Sequence, residues 1–346
     1  MAQTLSIDAS ALAEAGFNSL TYFTEFFDGL VSGDGYFYGG EPDSAFGGEY
    51  FMNGSQHLRA YTDGTDPVDR GVLIDGADLA YDFIHYGPDM GHGISGSVDS
   101  VIFGDWVDGV TTGTQGNGEA GRVADFAAEV VIDGFGLSAE AGAGNDPEVN
   151  EVYAIYKMIQ DLDPAGLGEV FDGYALEITG TIGADVLQGT GNEDVLIGMG
   201  GDDVLRGEAN HDVLIGGAGG DTLIGNRGRD VLIGGQGDDV LEGQIGRDTL
   251  KGGSGNDTLI GGMGTDRLTG GAGADTFVIL RESMRDIIRD FDGSEDLIDV
   301  SDLSLTSLSD FTITEDDKGT VLAIDTVEIV LRGVAEADLS DSMFVF

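Results

Sequence analysis

The sequence predicts an α+β domain, a curved antiparallel sheet with helices, followed by a parallel β-roll and a small β-rich carboxy-terminal segment. Three observations carry that prediction. Eleven aspartates fall nine residues apart without a break in phase: Asp185, Asp194, Asp203, Asp212, Asp221, Asp230, Asp239, Asp248, Asp257, Asp266 and Asp275. Each has a glycine five residues earlier, Gly180 through Gly270, and an apolar residue two later, Leu187 through Leu268 and finally Phe277. Before this tract the composition is that of an ordinary globular domain holding nearly all the aromatics, and after it short apolar runs return without the period. The divisions fall at residues 1–178, 179–276 and 277–346.

In the first segment, Ala11–Phe27 reads as a helix with Leu20, Phe23, Phe26 and Phe27 as its apolar positions. Asp146 and Pro147 form an N-cap and N1 pair that opens a second helix, with Val149, Val152, Tyr153, Tyr156 and Ile159 on one side. Pro164 separates a short third helix near Leu167–Phe171. Between the first two lie strand-like runs bounded by glycine, Gly71–Tyr86, Ser97–Phe103 and Ala128–Leu137. Strands in the middle and helices at the ends suggest α+β.

The middle segment repeats the nonapeptide G-G-x-G-x-D-x-U-x, the pattern of a parallel β-roll that binds calcium. A six-residue turn of glycine, or of αL-tolerant Asn192 and Asn210, lets the backbone adopt positive φ and approach a cation closely. The three-residue x-U-x is a short strand with U inward. Two repeats make one coil, so successive repeats alternate between two stacked sheets. Carbonyl oxygens and aspartates of neighbouring turns then form an all-oxygen cage suited to Ca²⁺. A disordered Gly/Asp tract would not hold an apolar residue in phase. Ile197, Ile215 and Ile233 recur outside one sheet beside Val195, Val213 and Val231, a stripe that predicts docking of another domain or partner. The third segment offers strands at Phe277–Leu280, Asp286–Asp292 and Asp296–Val300, then a pair at Val321–Ile324 and Val327–Arg332.

Charge narrows the partners. With 64 acidic against 15 basic residues the net charge is −49, which repels nucleic acid and anionic membranes. The same charge opposes folding until cations neutralise the repeats, so an ion bound only by the folded state drives folding directly. Extracellular calcium modules work at about 10⁻⁴–10⁻³ M, so the repeats are expected to fold outside the cell. There is no cysteine, hence no disulfide and no thiolate metal site. No apolar run approaches a membrane span, and Met1–Glu14 has neither the basic nor the apolar region of a signal peptide. The expected destination, secreted and extracellular, therefore needs another export route.

The repeats and the tail together resemble the RTX proteins exported by type I secretion. The run Gly270–Val278, the run from Asp286 to Gly293 and the run from Asp296 to Val300 resemble the segment that follows the repeats in serralysin-like proteins. That resemblance implies an uncleaved carboxy-terminal signal read by an ABC transporter. It does not say what the cargo does.

Enzyme motifs are missing from the cargo. His57, His85, His92 and His211 make no H-E-x-x-H, and Gly93-Ile-Ser-Gly96 and Gly54-Ser-Gln-His57 do not fit G-x-S-x-G. No catalytic residue is expected. His57 reads as a solvated strand-edge residue and His211 as a solvent-facing variable position. A different resemblance covers most of residues 15–178. Asp78-Leu-Ala-Tyr81, Gly91-His92-Gly93 and Val98–Asp105 resemble the haem-contacting region of the HasA-type hemophores, supported by Gly54-Ser-Gln56, Val131–Leu137 and Tyr174-Ala-Leu176. It implies b-type ferric haem as cofactor, Tyr81 as iron ligand and His92 as its hydrogen-bond partner, with His85 as the alternative. Ferric iron favours the phenolate, and an imidazole sharing the phenolic proton brings it within reach near neutral pH. The loop that carries a second axial histidine in many hemophores corresponds to Ser32–Gly48 and contains no histidine. Tyr36 and Tyr38 are its candidates, with Met52 further on: either Tyr81 alone holds the iron and the loop aromatics stack on the porphyrin, or a loop tyrosine ligates. The function implied is capture of extracellular haem for an outer-membrane receptor, without turnover. The other reading is a calcium-dependent surface or matrix protein that binds no haem.

Overall fold

The computed structural model describes residues 4–9, 19, 22, 31–39, 53–62, 67–81, 94–106, 126–139, 171–316 and 318–346. The chain divides into two compact units, Met1–Ala11 with Thr21–Tyr174 and Leu12–Leu20 with Ala175–Phe346.

The first unit contains an antiparallel sheet. Its strands are β1 (Thr4–Asp8), β2 (Val31–Gly39), β3 (Asn53–Thr62), β4 (Pro67–Tyr81), β5 (Ile94–Trp106) and β6 (Phe126–Ala139). Their order is β2-β3-β4-β5-β6-β1, and every neighbouring pair is antiparallel. The three strands expected from sequence are β4, β5 and β6, longer or shifted by a few residues; β3 adds bounds to the strand implied at His57, and β1 and β2 have no counterpart among the expected strands. β2 corrects the loop reading of Ser32–Gly48, because residues 31–39 pair with β3 despite three glycines. The aromatic run Tyr36-Phe37-Tyr38 has the β-propensity to carry it. His57 is also corrected: it does not lie on an edge, because β3 is flanked by β2 and β4. The helices expected over Ala11–Phe27, after Asp146 and near Leu167–Phe171 lie almost wholly outside the described residues.

The second unit is the β-roll with its tail. One sheet takes Ala175–Thr179, Val195–Gly200, Val213–Ala218, Val231–Gln236, Thr249–Ser254 and Arg267–Ala272. The other takes Val186–Gln188, Val204–Arg206, Thr222–Ile224, Val240–Glu242, Thr258–Ile260 and Thr276–Val278. Pairing within each is parallel, so alternate repeats build alternate sheets as the period predicts. The strands are unequal, however: three residues in the second sheet, five or six in the first. In the first the ladder runs on into the turn, Gly217 opposite Gly235 and Gly235 opposite Gly253. Leu187 through Leu268 and Phe277 are fully buried, so the core is two facing rows of one leucine per repeat. Ile197, Ile215 and Ile233 do stack in register, half-buried, and Lys251 ends the stripe.

The tail shares both sheets. Arg285–Ile288 extends the first sheet in parallel, followed by Val327–Arg332 and then antiparallel Gly319–Ile324 and Thr312–Asp316. Leu297–Asp299 and finally Phe344–Val345 extend the second. Phe344 is buried, its ring 6.3 Å from Phe311 and 5.8 Å from Phe346. At the opposite end Ser19 covers the free edge of the second sheet: its N–H donates to the Val186 carbonyl at 2.9 Å and its Oγ accepts the Gln188 N–H at 2.9 Å. Among the described residues no helix is long and apolar enough to cross a membrane.

Candidate metal centre

The repeat aspartates point into the turns and are fully buried or nearly so. Their Oδ1 atoms form a ladder along the roll. Asp212 N–H donates to Asp230 Oδ1 at 3.0 Å, Asp239 N–H to Asp257 Oδ1 at 2.9 Å, and the same bond links each aspartate to the one 18 residues on, from Asp185 through Asp275. The ladder then leaves the period. Asp266 N–H donates to Asp286 Oδ1 at 3.3 Å, and Asp275 N–H to Asp296 Oδ1 at 3.0 Å. Sequence reasoning missed both acceptors in this role, because their spacings of 20 and 21 residues break the signal that found the others.

The second oxygens are the chemically notable ones. In Asp203, Asp212, Asp221, Asp230, Asp239, Asp248, Asp257, Asp266 and Asp286, Oδ2 is buried without a hydrogen-bond partner among the described residues. A buried acceptor left unsatisfied is costly, and a buried carboxylate without a counter-charge more so. Beside each repeat Oδ2 lies the glycine that opens the same repeat. A Cβ on Gly243 would come 2.6 Å from Asp248 Oδ2 and 2.7 Å from the Gly261 carbonyl, so the cradle is open only because that side chain is absent. Carboxylate and main-chain carbonyl oxygens converge in this way around Gly180, Gly189, Gly198, Gly225, Gly234 and Gly243, a hard all-oxygen donor set that suits Ca²⁺. No three acidic, imidazole or thiol side chains gather at one point among the described residues, which leaves main-chain carbonyls and water as the oxygens that could complete a cage.

Electrostatics agree with that reading. Burial, with like charge from the coils above and below, raises Asp212 to about 8 and Asp203, Asp239 and Asp248 to about 7. Burial raises Asp230 and Asp257 to about 6. Only hydrogen bonds from the backbone, and His211 beside Asp230, pull these carboxyls back down.

The first two aspartates differ. Asp185 Oδ2 accepts the Thr181 N–H at 2.6 Å and its Oδ1 the Thr181 hydroxyl at 2.9 Å. Asp194 Oδ2 accepts the Thr190 N–H at 2.5 Å and the hydroxyl at 3.1 Å. Threonine supplies there what is lacking further along. His211 is exposed as expected but not idle: its Nδ1 accepts the Arg229 N–H at 3.0 Å.

The other predicted residues fall in the first unit. Tyr81 is the last residue of β4, opposite Ile94. Tyr36 and Tyr38 lie on β2, opposite Leu58 and Gln56. His85 and His92 lie outside the described residues.

The stacked coils and their acidic turns define a calcium-binding parallel β-roll. Residues 179–214, 215–250 and 242–277 match the family model of the RTX calcium-binding nonapeptide repeat, and the chain carries such repeats. Comparison with curated protein sequences found no match. Among solved structures, the chain is similar to the hemophore HasA from Yersinia pestis at 19% identity and a TM-score of 0.34, over 48% of this chain and 87% of that one. It is similar to the extracellular lipase LipA from Serratia marcescens at 20% identity and a TM-score of 0.27, over 50% of this chain and 40% of the lipase. It is also similar to the AlgE6R3 subunit of the Azotobacter vinelandii mannuronan C5-epimerase at 27% identity and a TM-score of 0.26, over 48% of this chain and 81% of that one. Scores this low leave a shared fold undefined.

Proposed function

We propose that this chain is a secreted haem-binding protein whose β-roll winds up on calcium after export. The observation that carries the calcium half is the row of buried Oδ2 atoms from Asp203 through Asp266, without a partner among the described residues and each beside the glycine that opens its repeat. The carboxylates of Asp203 through Asp266 would hold the ions with main-chain carbonyls of the turns. The bound ion supplies positive charge that neutralises them and leaves a folded roll stable at neutral pH.

The haem half is supported by the sequence resemblance of residues 15–178 to the HasA-type hemophores. Tyr81 ends β4, and the eleven residues after it carry both His85 and His92. Tyr81 is the proposed iron ligand, His92 or His85 its hydrogen-bond partner, and Tyr36 and Tyr38 face-stacking or auxiliary groups. The proposed partners are a type I ABC transporter during export and an outer-membrane receptor after it. No turnover is proposed.

Titration of the calcium-loaded chain with hemin tests this. The expected outcome is a Soret band with a tyrosinate-to-iron charge-transfer feature, lost in Tyr81→Ala. No Soret change in the native chain would leave a calcium-dependent surface or matrix protein as the better description.

A further inference from the structure

We propose that Asp286 and Asp266 hold a further calcium ion at the seam between the last coil and the tail, outside the nonapeptide period. This deepens the calcium reading above and rests on it. Nothing in the sequence period marks Asp286. It follows Asp266 by 20 residues instead of 18, and Arg281 stands five residues before it, where the repeats have glycine.

The backbone nevertheless returns to the register of the roll. Ile287 N–H donates to the Asp266 carbonyl at 2.9 Å, as Val231 N–H does to Asp212, and Arg267 and Leu268 pair with Ile287 and Ile288. Asp286 therefore occupies the place of a repeat aspartate. The irregular turn before it is closed by a side chain: buried Ser283 donates its hydroxyl to the Gly262 carbonyl at 3.1 Å and accepts the Leu280 N–H at 3.3 Å.

Asp286 has no exposed surface, and its Oδ2 has no hydrogen-bond partner among the described residues. Its carboxyl lies against that of Asp266, whose own Oδ2 is equally without a partner. The neighbouring cations are engaged elsewhere, Arg285 with Glu328 and Arg281 with Asp302 and Ser304. Two buried carboxyls side by side need a cation or a shared proton. The hard oxygen donors and the continuous register with the repeat sites favour the cation, and calcium among cations.

Calcium bound at saturation and neutral pH is counted by equilibrium dialysis for the full native chain, Asp286→Asn and Asp239→Asn. The expected result is fewer ions in both variants, with Asp286→Asn one below native. A native count in Asp286→Asn, with a reduced count in Asp239→Asn, overturns the seam site while sparing the repeats. No calcium on the native chain overturns both. Should Asp286→Asn fail to fold, crystals of the native chain grown with calcium decide. An anomalous peak about 2.3–2.6 Å from an Asp286 carboxylate oxygen supports the site, and its absence overturns it.

Discussion

Gly243 shows why one position in nine never varies. Its backbone is not left-handed, and neither is that of any other glycine that opens a repeat. What excludes a side chain is the Asp248 carboxylate on one side and the Gly261 carbonyl on the other. Positive φ falls one residue later, and there the sequence tolerates Met199, Glu208, Asn226 and Gln244 at φ between 68° and 79°. The two positions therefore answer differently to substitution. Gly243→Ala forces the cradle apart and is expected to cost about 2–3 kcal/mol or more, as overpacking does. Gln244→Gly relieves a left-handed residue, about 1–2 kcal/mol, against a backbone-entropy cost of about 0.5–1 kcal/mol, for a net gain of about 0.5–1 kcal/mol. Thermal unfolding at saturating calcium measures both; equal midpoints for Gly243→Ala and native protein would contradict the steric account.

At the scale of the element, the roll couples protons to metal. A repeat carboxyl with a pKa of about 6–8 when folded, against about 4 when unfolded, binds its proton more tightly in the roll. Without calcium the folded chain holds more protons between about pH 4 and 8, so its stability is present at the acid end and falls as pH rises through that window. Calcium displaces those protons, so its affinity rises with pH over the same range. Far-UV circular dichroism in EGTA is expected to show more β structure at about pH 5 than at about pH 8. A roll that gains structure on alkalinisation without metal would refute this linkage. The final strand makes a second prediction. Phe344→Ala removes a buried ring packed on Phe311 and is expected to lower calcium-loaded stability by about 3–5 kcal/mol in urea unfolding. An unchanged midpoint would mean that the last strand is not held.

Across the whole molecule, the regular parts were legible and the irregular ones were not. Eleven phased aspartates and their leucines specify coil, sheet alternation and core, because each repeat meets the same environment as its neighbours. Asp286 and Asp296 escaped because the turns leading to them carry extra residues and no opening glycine, so only three-dimensional register reveals them. Thr181 and Thr190 escaped because a threonine in a variable column says nothing until its hydroxyl is seen on a carboxylate. β2 escaped because the hemophore resemblance placed a loop over Ser32–Gly48, and three glycines among its nine residues leave little alternation to contradict it. The residues proposed for haem stand apart from all of these, since Tyr81 is placed only as the end of a strand and His85 and His92 lie outside the described residues.

The anchoring of Phe344–Val345 as the outermost strand of its sheet sets an order of events for any machine that grips those residues. Such a machine has a handle only while the chain is slack. Once the coil tightens, those two residues are stitched into the fabric, and the grip is lost.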